Sequence, residues 1–400
     1  MVQDRASEDR VLSGVRVLDF GRYVAGPYCS SLLADLGADV IRIERLAGSE
    51  DRYIGAIREG GEGSVFLQLN RGKRCMTLNP TKDEGREIVR RLVESADVVV
   101  ANVPPDALAS MGLDYATLKA IREDIILCSS TAFGDNGPYM NRPGYDSVAQ
   151  VMSGGTIMTG PPGTPIKSAV SWVDCGTGLS AAFGTMAALM HRARTGRGQE
   201  VKTSLLHTAM SFFHYFNLEA QLMGRVRTPV PNQSYVCAPS DIFHAKDGSL
   251  MVTVMGQPMF ERWCTLVDQR HWLEDPRYAT DAQRGADAAI FCEIMQRWIA
   301  EHSVAEALER LDAARIPSAP VLSPLEALVN PQVLATNMLQ EVDYPGLGPM
   351  PLMRAPVSFS DIDTSIRSRP PTLGEHTDEV LGSVGYSAEQ IAGFRARRVI

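Results

Sequence analysis

The chain has 400 residues, enough for two or three domains, with 44% hydrophobic and 22% charged residues, as expected of a globular protein with large cores. A net charge of −8 argues against a nucleic-acid surface as the main function, while leaving room for a local basic patch on a phosphorylated small molecule. The start, "MVQDRASEDRVLSG", has no apolar stretch of signal-peptide type, no run approaches a membrane span, and the seven cysteines form no C-x-x-C pair. The expectation is a cytoplasmic enzyme with reduced thiols, holding neither a disulfide framework nor a metal.

In chain order, "VRVLDF" from Val15 reads as a strand, "GRYVAGPYCSSLLADLG" as a loop and helix with Pro27 in its first turn, and "ADVIRIER" as a second strand. "CMTLNP" is a third. "TKDEGREIVRRLVESA" is a helix, with Thr81 and Glu84 spaced as a capping box. "DVVVAN" and "IILCSSTAF" are further strands flanking the helical "DYATLKAIRED". This alternation predicts an α/β fold with a doubly wound, Rossmann-like parallel sheet.

"SWVDCGTGLSAAFGTMAALMHRARTGRGQE" follows, then "EVKTSLL" and a second long helical stretch, "HTAMSFFHYFNLEAQLM". The Pro-rich, basic "GRVRTPVPNQS" marks a linker over 224–236 after a first domain spanning 1–223. "DIFHAKDGSLMVTVM" predicts a hairpin turning at Lys246–Gly248, opening a smaller α+β domain over 237–314. A second linker is expected over 315–329, and the tail, 330–400, is expected to return to the first domain.

Several chemistries lack their residues. The first turn, "GRYVAG", carries only Gly21 and Gly26 of a dinucleotide fingerprint, although Glu44 ends the second strand near the ribose-binding distance. There is no P-loop, no G-x-S-x-G elbow and no paired metal spacing among the seven histidines.

Asp174 stands out as a lone carboxylate before a run of small and apolar residues. Leu179, Phe183, Met186 and Met190 recur at helical spacing, and Ala181, Thr185 and Ala188 make a close-packing face, so this helix reads as buried on most sides. Two roles for Asp174 stay open and are compatible. It is a favourable helix N-cap, and an ionised carboxylate in a water-poor cleft is also a nucleophile toward an activated acyl group. Arg45, Asn102 and Phe133 fall at or just past strand ends, where open α/β sheets bind ligands. "NRGKR", with Arg71, Lys73 and Arg74, reads either as a polyphosphate contact or as a solvated turn.

Seven segments in order, "GVRVLDFGRYVAGPYCSSLLADLGADVIRIER", "LNRGKRCMTLN", "ADVVVANVPPDALASMGLDY", "RPGYDSVAQVMSGG", "SWVDCGTGL", "ALMHRARTGRGQEV" and "LGEHTDEVL", resemble the family III CoA-transferases, the superfamily of formyl-CoA transferase, carnitine CoA-transferase and α-methylacyl-CoA racemase. The resemblance implies Asp174 as a covalent nucleophile, coenzyme A as acyl-CoA co-substrate, and an interlocked-ring homodimer. It implies CoA contacts at Tyr23, Val24, Ala25, Arg45, Lys73, Arg74, Leu78, Asn102, Met111 and Phe133, and an acyl pocket at Tyr145 and Asp146.

Three departures matter. Val24 replaces a glutamine of formyl-CoA transferase, which argues against formyl-CoA and oxalate, and Ser110 replaces an arginine beside Met111, which bears on the phosphate contacts. Where the racemase has histidine in "GHD", this chain has Tyr145, and a phenol is a poor base at neutral pH. The remaining expectation is CoA transfer from a donor such as succinyl-CoA to a carboxylic, best a dicarboxylic, acid. An acyl-CoA racemase, or a non-catalytic CoA-binding subunit of a heteromeric transferase, is the alternative.

Overall fold

The computed structural model describes residues 10–55, 57 and 61–400, so the polar start over 1–9 lies outside it. The chain divides into two compact units. One comprises the chain up to Gly154 with Ser168–Leu222 and Leu334–Ile400; the other comprises Gly155–Lys167 and Met223–Val333.

The first unit is built on six strands, β1 (Arg16–Asp19), β2 (Asp39–Glu44), β3 (Arg74–Thr77), β4 (Val98–Ala101), β5 (Ile126–Thr131) and β6 (Glu200–Ser204). All adjacent pairs are parallel, in the order β3-β2-β1-β4-β5-β6. The central strand residues are mostly apolar on both faces because helices cover both. Leu18, Ile41, Val99 and Leu127 pack with Ile88 and Leu92 of the Asp83–Glu94 helix and with Val380, Leu381 and Phe394 from the tail. Their neighbours Val17, Val40, Val98 and Cys128 point the other way, onto Leu33 of the Ala25–Asp35 helix and Ala181 and Ala188 of the Trp172–Thr195 helix. Strand order reverses between β1 and β4, and such a reversal leaves a crevice at the carboxyl ends of the strands.

Four local expectations are corrected. Thr81 caps nothing: its hydroxyl and N–H both donate to Asn79 Oδ1, at 2.7 and 3.1 Å, in a local turn that ends before the helix starts. The long helix after β6 breaks at Phe213 into Leu205–Phe212 and His214–Met223. The 315–329 stretch carries a strand, Ser318–Pro320, and a helix, Pro324–Leu328, with a capping box at Ser323 and Glu326. The Asp174 helix buries Ala181, Thr185 and Ala188 but leaves Leu179, Phe183 and Met190 on the surface.

In the second unit β7 (Ser240–His244), β8 (Ser249–Thr253) and β9 (Ser318–Pro320) form an antiparallel sheet. Phe260, Trp263, Phe291 and Met295 pack beside it as its core. Among the described residues no helix is long and apolar enough to cross a membrane.

Candidate active site

The chain leaves β1 through a turn over Gly21–Val24 that is pinned on every side. Asp19, fully buried, accepts hydrogen bonds from Gly21 N at 2.8 Å, Ser30 Oγ at 2.6 Å and Lys73 Nζ at 2.8 Å. Asn102, just past β4, accepts from Arg22 N at 2.6 Å and donates to Arg22 O at 2.7 Å. Gly26 must be glycine here, since a Cβ would lie 2.9 Å from Gly21 Cα and 3.1 Å from Asn102 Oδ1. These constraints hold Tyr23 at a φ of 62°, an uncommon conformation for a bulky residue. Its ring meets that of Tyr145 edge-on at 5.6 Å, and the hydrogen bond with the Tyr145 phenol pushes the Tyr23 hydroxyl above its ordinary value.

Asp174 is the third residue of the Trp172–Thr195 helix, and so is not its N-cap. Ser171, which is, offers no side-chain hydrogen bond. The orphan amides at this helix start are taken by a residue 28 positions away: Asp146 Oδ2 accepts from Val173 N at 2.9 Å and Asp174 N at 3.0 Å. The Asp174 carboxyl is thereby left without a local partner, and none of the described residues donates a hydrogen bond to it. Burial, then the neighbouring Asp146 charge, push it up to about 7. Burial, then the Asp174 charge and after it Asp146, raise the adjacent Cys175 thiol. Asp174 is thus a carboxylate that is unusually easy to protonate, free of hydrogen bonds, at the mouth of a helix.

A cavity of about 200 Å³ brings Asp174 together with Tyr23, Ala25, Asn102 and Tyr145, all singled out by sequence. Arg22 and Arg142, not anticipated, also line it, with Ser130 and Thr131 at the end of β5. All of these follow the carboxyl ends of β1, β4 and β5 or belong to the helices beside them. Val24 and Phe133 do not line the cavity, though each adjoins in sequence a residue that does: Val24 ends the turn ahead of the Ala25–Asp35 helix, and Phe133 packs edge-on against Tyr139 at 5.7 Å. Arg45 is exposed just past β2, paired with Glu50 at 2.7 Å, and Glu50 also pairs with Arg22.

The other expected contacts lie elsewhere. Lys73 is 2% exposed, and its three donors are spent on Asp19, Pro27 O and Asn70 Oδ1 at 2.8, 2.9 and 2.9 Å. Burial lowers its amine to about 8 against the pull of Asp19. Arg74 is the first residue of β3, at the opposite end of the sheet, bound to Asp39 and Glu379. Arg71 pairs with Asp35 at 2.6 Å, so "NRGKR" is neither a solvated turn nor a free cationic patch. Leu78 sits in the core just past β3, and Met111 packs against that core from the C-terminal end of the short Pro105–Ser110 helix. Glu44 is also committed: burial raises it, but Arg42 and Arg52 prevail and hold it at about 2. No group of three or more His, Cys, Asp or Glu among the described residues is placed to hold a metal ion.

The profile of CoA-transferase family III matches residues 12–377. The chain is 32% identical to a succinate–glutarate CoA-transferase of Agrobacterium fabrum, covering 93% of this chain and 95% of that one. It is 33% identical to a formyl-CoA:oxalate CoA-transferase of Rhodopseudomonas palustris, covering 96% of each. Among solved structures, a CAIB/BAIF family protein from Brucella suis superposes with a TM-score of 0.82 at 33% identity, over 93% of this chain and 98% of that one. The chain belongs to CoA-transferase family III and is a CoA-transferase.

Proposed function

We propose that Asp174 carries the coenzyme through covalent intermediates and that the substrates are dicarboxylic acids and their CoA esters, with succinyl-CoA as a donor. The observation that carries the first part is the Asp174 carboxyl itself, free of hydrogen bonds in a cavity at the sheet's switch point, with its backbone amide already satisfied by Asp146.

In this reading a carboxylate oxygen of Asp174 attacks the thioester carbonyl carbon of the donor. The C–O bond forms, the C–S bond breaks and CoA leaves as thiolate, giving an aspartyl acyl anhydride. The thiolate attacks the aspartyl carbonyl of the anhydride, which yields an aspartyl-CoA thioester and frees the donor acid as carboxylate. An acceptor carboxylate attacks that thioester and again displaces the thiolate. The thiolate takes the acceptor acyl group, and Asp174 returns as carboxylate. Each step conserves the energy of the thioester provided water is kept from the anhydride, a task suited to a small, mostly apolar cavity.

Arg142 on the cavity wall, with Arg22 beside it already paired to Glu50, favours substrates with a second carboxylate, and the succinate–glutarate relative agrees with that class. Tyr23, Val24, Ala25, Arg45, Asn102 and Phe133 are proposed to hold the CoA ester. Lys73 acts beneath them as support. The active protein is proposed to be a homodimer of interlocked rings.

Intact-protein mass spectrometry of wild-type and Asp174→Ala protein mixed with succinyl-CoA or acetyl-CoA tests the chemistry, with hydroxylamine quenching and peptide mapping. An adduct of CoA or acyl mass on Asp174, formed with succinyl-CoA and lost in the variant, is the expected result. CoA binding without an adduct from either donor would favour a non-catalytic subunit, and α-deuterium exchange without transfer would favour a racemase.

A further inference from the structure

Behind Asp146 stands a residue with no part in the chemistry above. Gln150, one turn further along the Asp146–Met152 helix, is 2% exposed. Its amide is used at both ends. Nε2 donates to Asp146 Oδ1 in a short hydrogen bond and more weakly to Val170 O at 3.3 Å, while Oε1 accepts from Ser168 N at 2.9 Å. These three bonds tie two pieces of chain into one frame: the helix that carries Asp146, and the 168–170 strap leading into the helix that carries Asp174. The partners also fix the orientation of the amide, because a carboxylate oxygen takes only a donor and a backbone N–H takes only an acceptor.

We infer that Gln150 is a positioning residue for Asp174, acting through Asp146: it holds the Asp146 carboxylate against the amides of Val173 and Asp174, and so fixes the place of the attacking carboxyl and of the charge beside it. The inference rests on Asp174 being the nucleophile. With Oδ1 held by Gln150 and Oδ2 by two backbone amides, the Asp146 carboxylate is fixed against the start of the Asp174 helix. An Asp146 anion at this place repels a second charge on Asp174. The other ionisable groups facing the pair are Cys175 on the same helix, with Tyr28 beside it, Tyr23 and Tyr145 across the cavity, and Arg22 and Arg142 on its wall. His207, on the Leu205–Phe212 helix packed alongside, turns its ring to Gly134.

The substitutions have opposite signs. Gln150→Met keeps the bulk and removes the donor, which frees Oδ1 and lets the Asp146 carboxylate turn away from the helix start, taking its charge further from Asp174. Gln150→Glu keeps an acceptor for Ser168 but places another carboxylate against Asp146. The full-length variants are compared by the pH dependence of adduct formation from succinyl-CoA, and by titration of the Asp174 carboxyl under ¹³C-aspartate labelling, its resonance identified by its loss in Asp174→Asn. The expected result is an acid limb moved down by about one pH unit in Gln150→Met and up in Gln150→Glu. The rate on the alkaline plateau should fall by about tenfold or more in both.

If both variants lower only the melting temperature, with limb and plateau unchanged per folded molecule, Gln150 is merely structural and the inference fails. Should Gln150→Met not fold, the limb in Gln150→Glu decides alone. Failure of the nucleophile reading shows differently, as absence of an adduct in the wild type, while the carboxyl titration still reports whether Gln150 governs Asp174.

Discussion

Asp174 is held away from its ordinary chemistry by burial and by Asp146, and this has consequences for both rate and stability. Its carboxyl titrates near 7 in the folded protein against an ordinary value of 3.8. The attacking form is the anion, so adduct formation should rise with pH through about 7 and level off above it. The effect on stability has the opposite sign. A carboxyl whose value is raised on folding binds its proton more tightly in the folded state, so ionising it destabilises the fold. That penalty is absent below the unfolded value near 3.8 and complete above about 7. Asp174→Asn should therefore abolish the adduct while raising thermal stability at pH 8, by about 1–2 kcal/mol, and leave stability unchanged at pH 4. Calorimetry at the two pH values checks it; equal effects at both would show that the carboxyl is not under this strain.

Lys73 and Arg45 make a contrasting pair, since both read as ligand cations in the sequence. Lys73→Met strands Asp19 without its partner in the interior and should cost about 3–5 kcal/mol, partly recovered by adding Asp19→Asn. Arg45→Ala, exposed and past the strand end, should leave the melting temperature nearly unchanged and raise the KM for the CoA ester. Thermal melts and steady-state kinetics separate the two. The lone carboxylate at Asp174 was legible because its neighbours in sequence are apolar. The burial of Lys73 was not, because the acid that neutralises it, Asp19, lies 54 positions away and reaches it only when β1 and β3 share a sheet.

At the scale of elements, the cavity depends on how closely the Trp172–Thr195 helix approaches the Ala25–Asp35 helix. A Cβ at Gly178 would lie 2.9 Å from Ala25 O and 3.0 Å from the Tyr28 ring. Backbone cannot swing aside as a side-chain tip can, so Gly178→Ala should push the second helix away, together with the Tyr23 turn that leads into it. The expected cost is about 1–3 kcal/mol, with a fall in the rate of adduct formation larger than the loss of folded protein explains. Gly382→Ala is the control, at an exposed position of the Thr377–Ser383 helix where an added Cβ meets nothing within 4 Å. Stability there should hold or rise slightly.

The periodicity of this helix was readable and its small-residue face, Ala181, Thr185 and Ala188, is indeed inward. Which amides its start needed satisfied was also readable in kind. The residue that satisfies them was not, because a cap supplied from another helix leaves no local spacing to detect. The strand order was likewise open: alternation of strands and helices predicts a parallel sheet but does not say that β4 returns beside β1.

At the scale of the whole molecule the same helix shows what one chain leaves unfinished. Leu179, Phe183 and Met190 form an apolar stripe on its outer side, with Phe183 78% exposed. Phe212, Tyr215, Leu218 and Leu222 are exposed on the two helices after β6, and the second of these, His214–Met223, buries none of its residues. Apolar surface of this extent on consecutive elements is what an interface uses, and covering it would account for a helix that reads as buried by composition being open in a single chain. A second copy would cover it, consistent with the homodimer proposed above. The wild-type protein should then elute with twice the 43.6 kDa chain mass in light scattering at micromolar concentration. Phe183→Glu adds a charge at the centre of the stripe without touching the core, so the monomer should retain its fold while self-association weakens by about tenfold or more. A wild-type monomer at that concentration, or a Phe183→Glu protein that stays fully dimeric, would remove this face from the interface. The stripe begins five residues after Asp174 on the same helix. If the dimer covers it, loss of the partner should therefore also slow adduct formation, and dilution of the wild type should reproduce that loss.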